Sequence, residues 1–139
     1  MGLMRVGCNG GKAKVVAMEA FDVLLSFTNG VNVDQVTRDV YFTLSSTTYS
    51  RARYERTTPS GDSIDRIMKY DSHTNEVTVF QCNATYPNDI TIRDYRTHFV
   101  VASIEPCNML KLWIRGPKTG MSKLFVCQLV GISRQYLAR

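Results

Sequence analysis

No stretch of this 139-residue sequence is apolar enough to span a bilayer. The best candidate, Val15 to Phe27, is interrupted by Glu19 and Asp22, which also denies it the core of a signal peptide. Histidine is nearly absent. His73 and His98 are the only two, too few for a three-histidine metal site, and neither pairs with a serine or cysteine in a recognisable triad. The acids Asp62, Asp65 and Glu76 lack the spacing of a metal loop. No metal, no cofactor and no catalytic set is therefore expected, and the chain is not read as an enzyme. The four cysteines, Cys8, Cys82, Cys107 and Cys127, are too far apart for a zinc knuckle or a redox pair. Their even number allows two disulfides. With the sequon Asn83-Ala84-Thr85 it points to a secreted, extracellular protein, a reduced cytoplasmic one being the alternative. No internal repeat and no low-complexity tract stands out.

What is present is the composition of one folded domain, 1–139, with 44% hydrophobic and 21% charged residues. A net charge of +5 permits an anionic partner without specifying one. Lys12 to Phe27 fits a strand and a helix about equally well. Asn29-Gly30 is a turn signal. Val40 to Tyr54 alternates as a strand, with Val40, Phe42 and Leu44 on one face and Tyr41, Thr43, Tyr49, Arg51 and Arg53 on the other. Ser63 to Tyr70 and Glu76 to Cys82 form a hairpin across 71–75, and Tyr86-Pro87-Asn88-Asp89 reads as the next loop. Ile90 to Ala102 and Met109 to Arg115 read as two further strands, the second closed by Gly116-Pro117. Leu124 to Val130, followed by Gly131, fits a short helix with a glycine stop, a last β-strand over Leu124-Phe125-Val126-Cys127 being the competing reading. Short strands with frequent turns favour an antiparallel sandwich or barrel.

Three segments carry a family resemblance. Arg93-Asp94-Tyr95 with Phe99-Val100-Val101, then Leu112-Trp113-Ile114-Arg115, then Phe125 to Ile132 resemble the last third of a lipocalin. The Gly-x-Trp that opens the first lipocalin strand is missing, since the single tryptophan is Trp113. The resemblance implies an all-β antiparallel barrel, a lipocalin-like calyx, with a short C-terminal helix. The function it implies is binding, sequestration or transport of a small hydrophobic or amphipathic molecule. The ligand-binding residues would be Phe42, Leu44, Val79, Phe99, Val101, Leu112 and Ile114 inside, with Tyr49, Arg51 and Arg53 at the mouth. Packed core is the plainer role for the apolar members. The alternative is a basic β-domain whose Arg/Tyr face binds nucleic acid or builds a viral or structural assembly.

Overall fold

The computed structural model describes residues 2–46, 49–50, 52–53, 66–82, 84, 86–93, 95–103 and 108–125. These form twelve strands. The N-terminal hairpin is β1 (Leu3–Gly7) and β2 (Gly10–Ala17), followed by the two-residue strands β3 (Glu19–Ala20) and β4 (Val23–Leu24). Two four-stranded antiparallel meanders follow. The first is β5 (Thr28–Val33), β6 (Val40–Leu44), β7 (Arg66–Tyr70) and β8 (Val77–Cys82), and the second is β9 (Pro87–Ile92), β10 (His98–Ser103), β11 (Asn108–Trp113) and β12 (Ser122–Phe125).

Strand β6 shows how the sheets are arranged. A strand with one face in water should bury every second residue, yet Tyr41, Phe42, Thr43 and Leu44 are all buried. The first meander is covered on both faces. Phe42, Leu44 and Met68 join Leu25 and Ala20 in one core, with Leu3 and Ala17 of the hairpin packed against it. Tyr41 and Ile67 point the opposite way and join Ile90, Phe99, Val101 and Leu112 of the second meander in another. Tyr41 is the hub there, 4.5 Å from the Phe99 ring and 5.4 Å from that of Phe80.

The two meanders are also copies. Phe27-Thr28-Asn29-Gly30-Val31-Asn32-Val33 and Tyr86-Pro87-Asn88-Asp89-Ile90-Thr91-Ile92 carry the same pattern of aromatic, asparagine and alternating aliphatics into β5 and β9. Ile67-Met68-Lys69-Tyr70 of β7 matches Met109-Leu110-Lys111-Leu112 of β11, and Leu3-Met4-Arg5-Val6 of β1 follows suit. The faces that meet are not equivalent ones. In the first sheet the face carrying Tyr41 and Lys69 turns towards the second. The second sheet answers with the face carrying Phe99 and Leu112, and its own Val100 and Lys111 look away. Two sheets of a sandwich related by a two-fold would present like faces. Head-to-tail stacking of copies instead turns about an axis and can close into a ring. This is the arrangement of neighbouring blades in a β-propeller.

At one end of the blades a buried charge locks the two sheets. Asp34, in the β5–β6 turn, is fully buried. Its Oδ1 accepts the backbone N–H of Val36 at 3.0 Å and that of Thr37 at 3.4 Å. Arg96, from the β9–β10 turn, sets its Nη2 2.6 Å from Oδ1 and 2.8 Å from Oδ2; Arg115, after β11, reaches Oδ2 at 2.6 Å. Burial alone would push the carboxyl up. The Arg96 guanidinium, the two backbone N–H groups and the Arg115 guanidinium outweigh it and hold Asp34 well below the ordinary carboxylate range. Beside it Lys69 bridges Asp39 at 3.1 Å and Asp71 at 3.5 Å, tying the β5–β6 turn to the β7–β8 turn.

Several expectations change. Among the described residues there is no closed barrel: the strands make open meanders, and the residues that a calyx would turn outwards, Tyr41 and Thr43, are buried between sheets. No α-helix occurs among the described residues. Leu124 lies in β12, opposite Leu110, while residues 126–139, where most of the expected helix falls, are outside those described. Lys12 to Phe27 holds β2, β3 and β4. Asn29-Gly30 is no turn but part of β5. The span Ile90 to Ala102 is two strands, folded back at 93–97 with Arg96 at φ 51°. No glycine, proline or Asn-Gly announces that turn, because an arginine occupies its left-handed position. An internal repeat is present, and it does not stand out in the sequence because only a few pattern positions are shared between the copies.

Gly30 is where β5 meets β9: a Cβ there would lie 2.7 Å from the Asp89 Cα and 2.8 Å from the Asn88 carbonyl oxygen. Both neighbours are backbone, so Gly30→Ala should cost about 1–3 kcal/mol in urea unfolding, as overpacking does. The Asp34 carboxylate contributes stability that is fully present above the ordinary carboxyl pKa of 3.8 and is lost as pH falls towards its depressed folded value. Wild type should therefore lose stability more steeply below pH 4 than Asp34→Asn. At neutral pH the variant should be less stable by about 3 kcal/mol, the low end for a broken buried pair because both arginines are partly exposed.

Candidate functional site

The opposite end of the blades, where β5 and β9 begin, has a different character. Propeller loops from several blades converge near the axis, and such loops on a rigid scaffold are where binding residues concentrate. The longest connection between described strands, from β6 to β7, leaves from this end.

Asn29 and Asn88, equivalent residues of the two copies, meet here: the Asn29 side-chain amide donates to the Asn88 side-chain carbonyl. They are half-buried, and Asp89 beside them is exposed. A small polar lattice backs them. Thr43 Oγ1 accepts the Gly30 N–H at 2.9 Å and donates to the Asn88 backbone carbonyl at 3.3 Å. Ser45 Oγ donates to the Pro87 carbonyl at 2.8 Å. Ser46 Oγ accepts the Tyr49 N–H at 2.9 Å. Thr43, Ser45 and Ser46 are all buried, and the Thr43 and Ser45 hydroxyls tie the end of β6 to β5 and β9, the inner strands where the two sheets meet. The Phe27 and Tyr86 rings, equivalent positions again, stand edge to face at 6.4 Å and wall the site. Asn32 Oδ1, further along β5, is buried with no hydrogen-bond partner among the described residues. The groups available are the two amides and the Asp89 carboxylate, a set that orients a polar small molecule by hydrogen bonds. Among the described residues no three histidine, cysteine, aspartate or glutamate side chains are grouped to hold a metal.

The residues expected from sequence to line one cavity do not come together. Phe42, Leu44 and Val79 belong to the core on one side of the first sheet; Phe99, Val101, Leu112 and Ile114 belong to the core on the other. Both groups are packing. Tyr49 is half-buried and Arg53 exposed, and Arg51 is outside the described residues. Sequence reasoning missed Asn29 and Asn88. Asn29-Gly30 had been given to a turn and Asn88 to a loop, and the signal that finds them is the repeat, which sets two asparagines in register.

Residues 29–117 match the family model described as strictosidine synthase. Among curated proteins, strictosidine synthase-like 2 of Arabidopsis thaliana is 35% identical over 82% of this chain and 30% of its own length. Strictosidine synthase-like 3 of the same plant is 33% identical over 89% of this chain and 32% of its own length. The strictosidine synthase of Catharanthus roseus is 32% identical over 87% and 35%. The chain spans about a third of the length of these relatives. The likeness runs through both meanders, whereas the lipocalin motifs covered the last third alone. It overturns the lipocalin resemblance, and with it transport or sequestration in a calyx. The enzyme class, set aside on sequence, is the class that the family's name carries.

Because the Thr43 hydroxyl serves both inner strands, Thr43→Val should strand the Gly30 N–H and cost about 1–3 kcal/mol in chemical unfolding. Unchanged stability would show that water replaces the hydroxyl there.

Proposed function

This chain belongs to the strictosidine synthase family, whose fold is a six-bladed β-propeller, and on that footing we propose that it supplies two adjacent blades of an enzyme that acts on a small polar organic molecule. The site is the end of the inner strands, at Asn29, Asn88 and Asp89. The observation that carries this reading is the pairing of two equivalent asparagine amides across neighbouring inner strands. Amides placed on neighbouring strands of the two sheets, with backbones held by Thr43 and Ser45, are preorganised, so little ordering is needed when a ligand binds.

The roles divide by chemistry. Asn29 and Asn88 have donor and acceptor capacity beyond the bond they share, enough to fix the orientation of a hydroxyl or carbonyl. Asp89 accepts the Ile90 N–H at 2.8 Å through one carboxylate oxygen. Its other oxygen is suited to a cationic group or to a proton that must leave. A synthase, the class named for the Catharanthus relative, joins two molecules, and such a reaction needs this kind of positioning before any proton transfer.

The test is a thermal-shift screen of the intact protein against small polar metabolites, followed by calorimetry on the hits. Asn88→Ala should weaken each genuine ligand about tenfold, the worth of one well-made hydrogen bond. Asp89→Asn, which keeps the shape, should weaken cationic ligands alone. Ligands that bind both variants as tightly as wild type would move the site elsewhere.

A further inference from the structure

The repeat also compares the two turns that meet at Asp34, at the other end of the blades. They are closed alike, by the Asp34 N–H on the Asp39 carbonyl and by the Arg93 N–H on the His98 carbonyl, so Val36 and Tyr95 hold equivalent places. Both side chains stand in water, Val36 at 68% and Tyr95 at 89% of full exposure. Val36 keeps that exposure with the following blade in place, and Tyr95 keeps it with the preceding blade in place. Neither neighbour covers the position, so it stays open when the ring is closed.

The two turns are pinned to each other. Asp34 Oδ1 accepts the Val36 N–H at 3.0 Å and lies 2.6 Å from Nη2 of Arg96, the residue after Tyr95. The carboxylate that locks the blades thus holds both tips on one end face. A lone surface hydrophobic residue needs no explanation, but two at equivalent places on neighbouring fixed turns mark a surface that meets something apolar.

Shape and charge select the occupant. Each tip is a single convex side chain followed by polar residues, Thr37 on one turn and Arg96 and Thr97 on the other. A convex tip needs no matching pocket when the surface it enters is soft, as the headgroup layer of a bilayer is. Tyrosine, with an apolar body and a polar end, suits that depth. At this end Asp34, Asp39 and Asp71 are already paired with Arg96, Arg115 and Lys69. The exposed charges left here without an ion pair among the described residues are Arg38, Lys12 and Lys118 against Glu76, while Asp94 lies outside those residues. The balance is positive, as is that of the whole chain at +5. We propose that this end of the blades docks on an anionic lipid surface, with Val36 and Tyr95 entering the headgroup layer and Arg38 and Lys118 set against lipid phosphates and carboxylates. The asparagine pair, at the opposite end, then faces away from the membrane.

The experiment is co-sedimentation of the intact protein with phosphatidylcholine vesicles, prepared with and without phosphatidylserine. Binding should require phosphatidylserine and fall as salt is raised. Arg38→Glu should raise the apparent Kd about fivefold or more, the worth of one basic group near an anionic surface, and Tyr95→Ser by a similar factor. Both exposed positions should keep the wild-type urea midpoint. Phe21→Ser changes an aromatic residue that is 64% exposed in the β3–β4 turn, ahead of β5 at the opposite end, and should leave binding unaltered. No binding, equal binding to both kinds of vesicle, or an equal loss in Phe21→Ser overturns the proposal. So does a dimer in sedimentation velocity that Tyr95→Ser abolishes, since the tips would then belong to a contact with a second copy.

Discussion

The buried carboxylate of Asp34 is the constraint on which the rest of the fold turns. A carboxylate with no access to water is expensive unless every lone pair is occupied. Here the occupants come from both blades: two backbone N–H groups of its own turn and two guanidinium groups from the next sheet. The second blade therefore cannot shift without stranding a buried charge. Apolar packing around Tyr41 and Phe99 gives the interface its area, but such packing tolerates sliding. The ion cluster does not, and by fixing the register of the two blades at one end it sets where β5 and β9 begin at the other. The asparagine pair depends on that register, as does the close approach of Gly30 to Asp89.

Much of the strand content was legible in the sequence, because alternation reports on faces. The hairpin of β7 and β8, the strand β11 and the all-β class all follow from period-two patterns and turn residues. Alternation cannot report how many sheets cover a strand. Val40-Tyr41-Phe42-Thr43-Leu44 reads as one apolar and one semi-polar face, which suits a barrel wall and suits a blade pressed on both sides just as well. Tyr41 and Thr43 decide between these through burial, and burial depends on sequence far away. The turn at 93–97 was invisible for a different reason: Arg96 tolerates its positive φ because its guanidinium is anchored on Asp34, a contact across 62 positions.

The site was less legible than the strands. The apolar residues expected to line one cavity are core, as hydrophobic residues in a single sequence most often are. Asn29 and Asn88 looked like turn formers, and their meaning comes from the repeat that brings them together on adjacent strands.

Native-state hydrogen exchange on the amides of β6 and β10 tests the central claim most directly. If the Asp34 cluster fuses the blades into one cooperative unit, both strands open with the same free energy in wild type. Asp34→Asn should then split them, with one blade exchanging at clearly lower cost than the other. Two strands that already open independently in wild type, or that stay matched in the variant, would contradict the account.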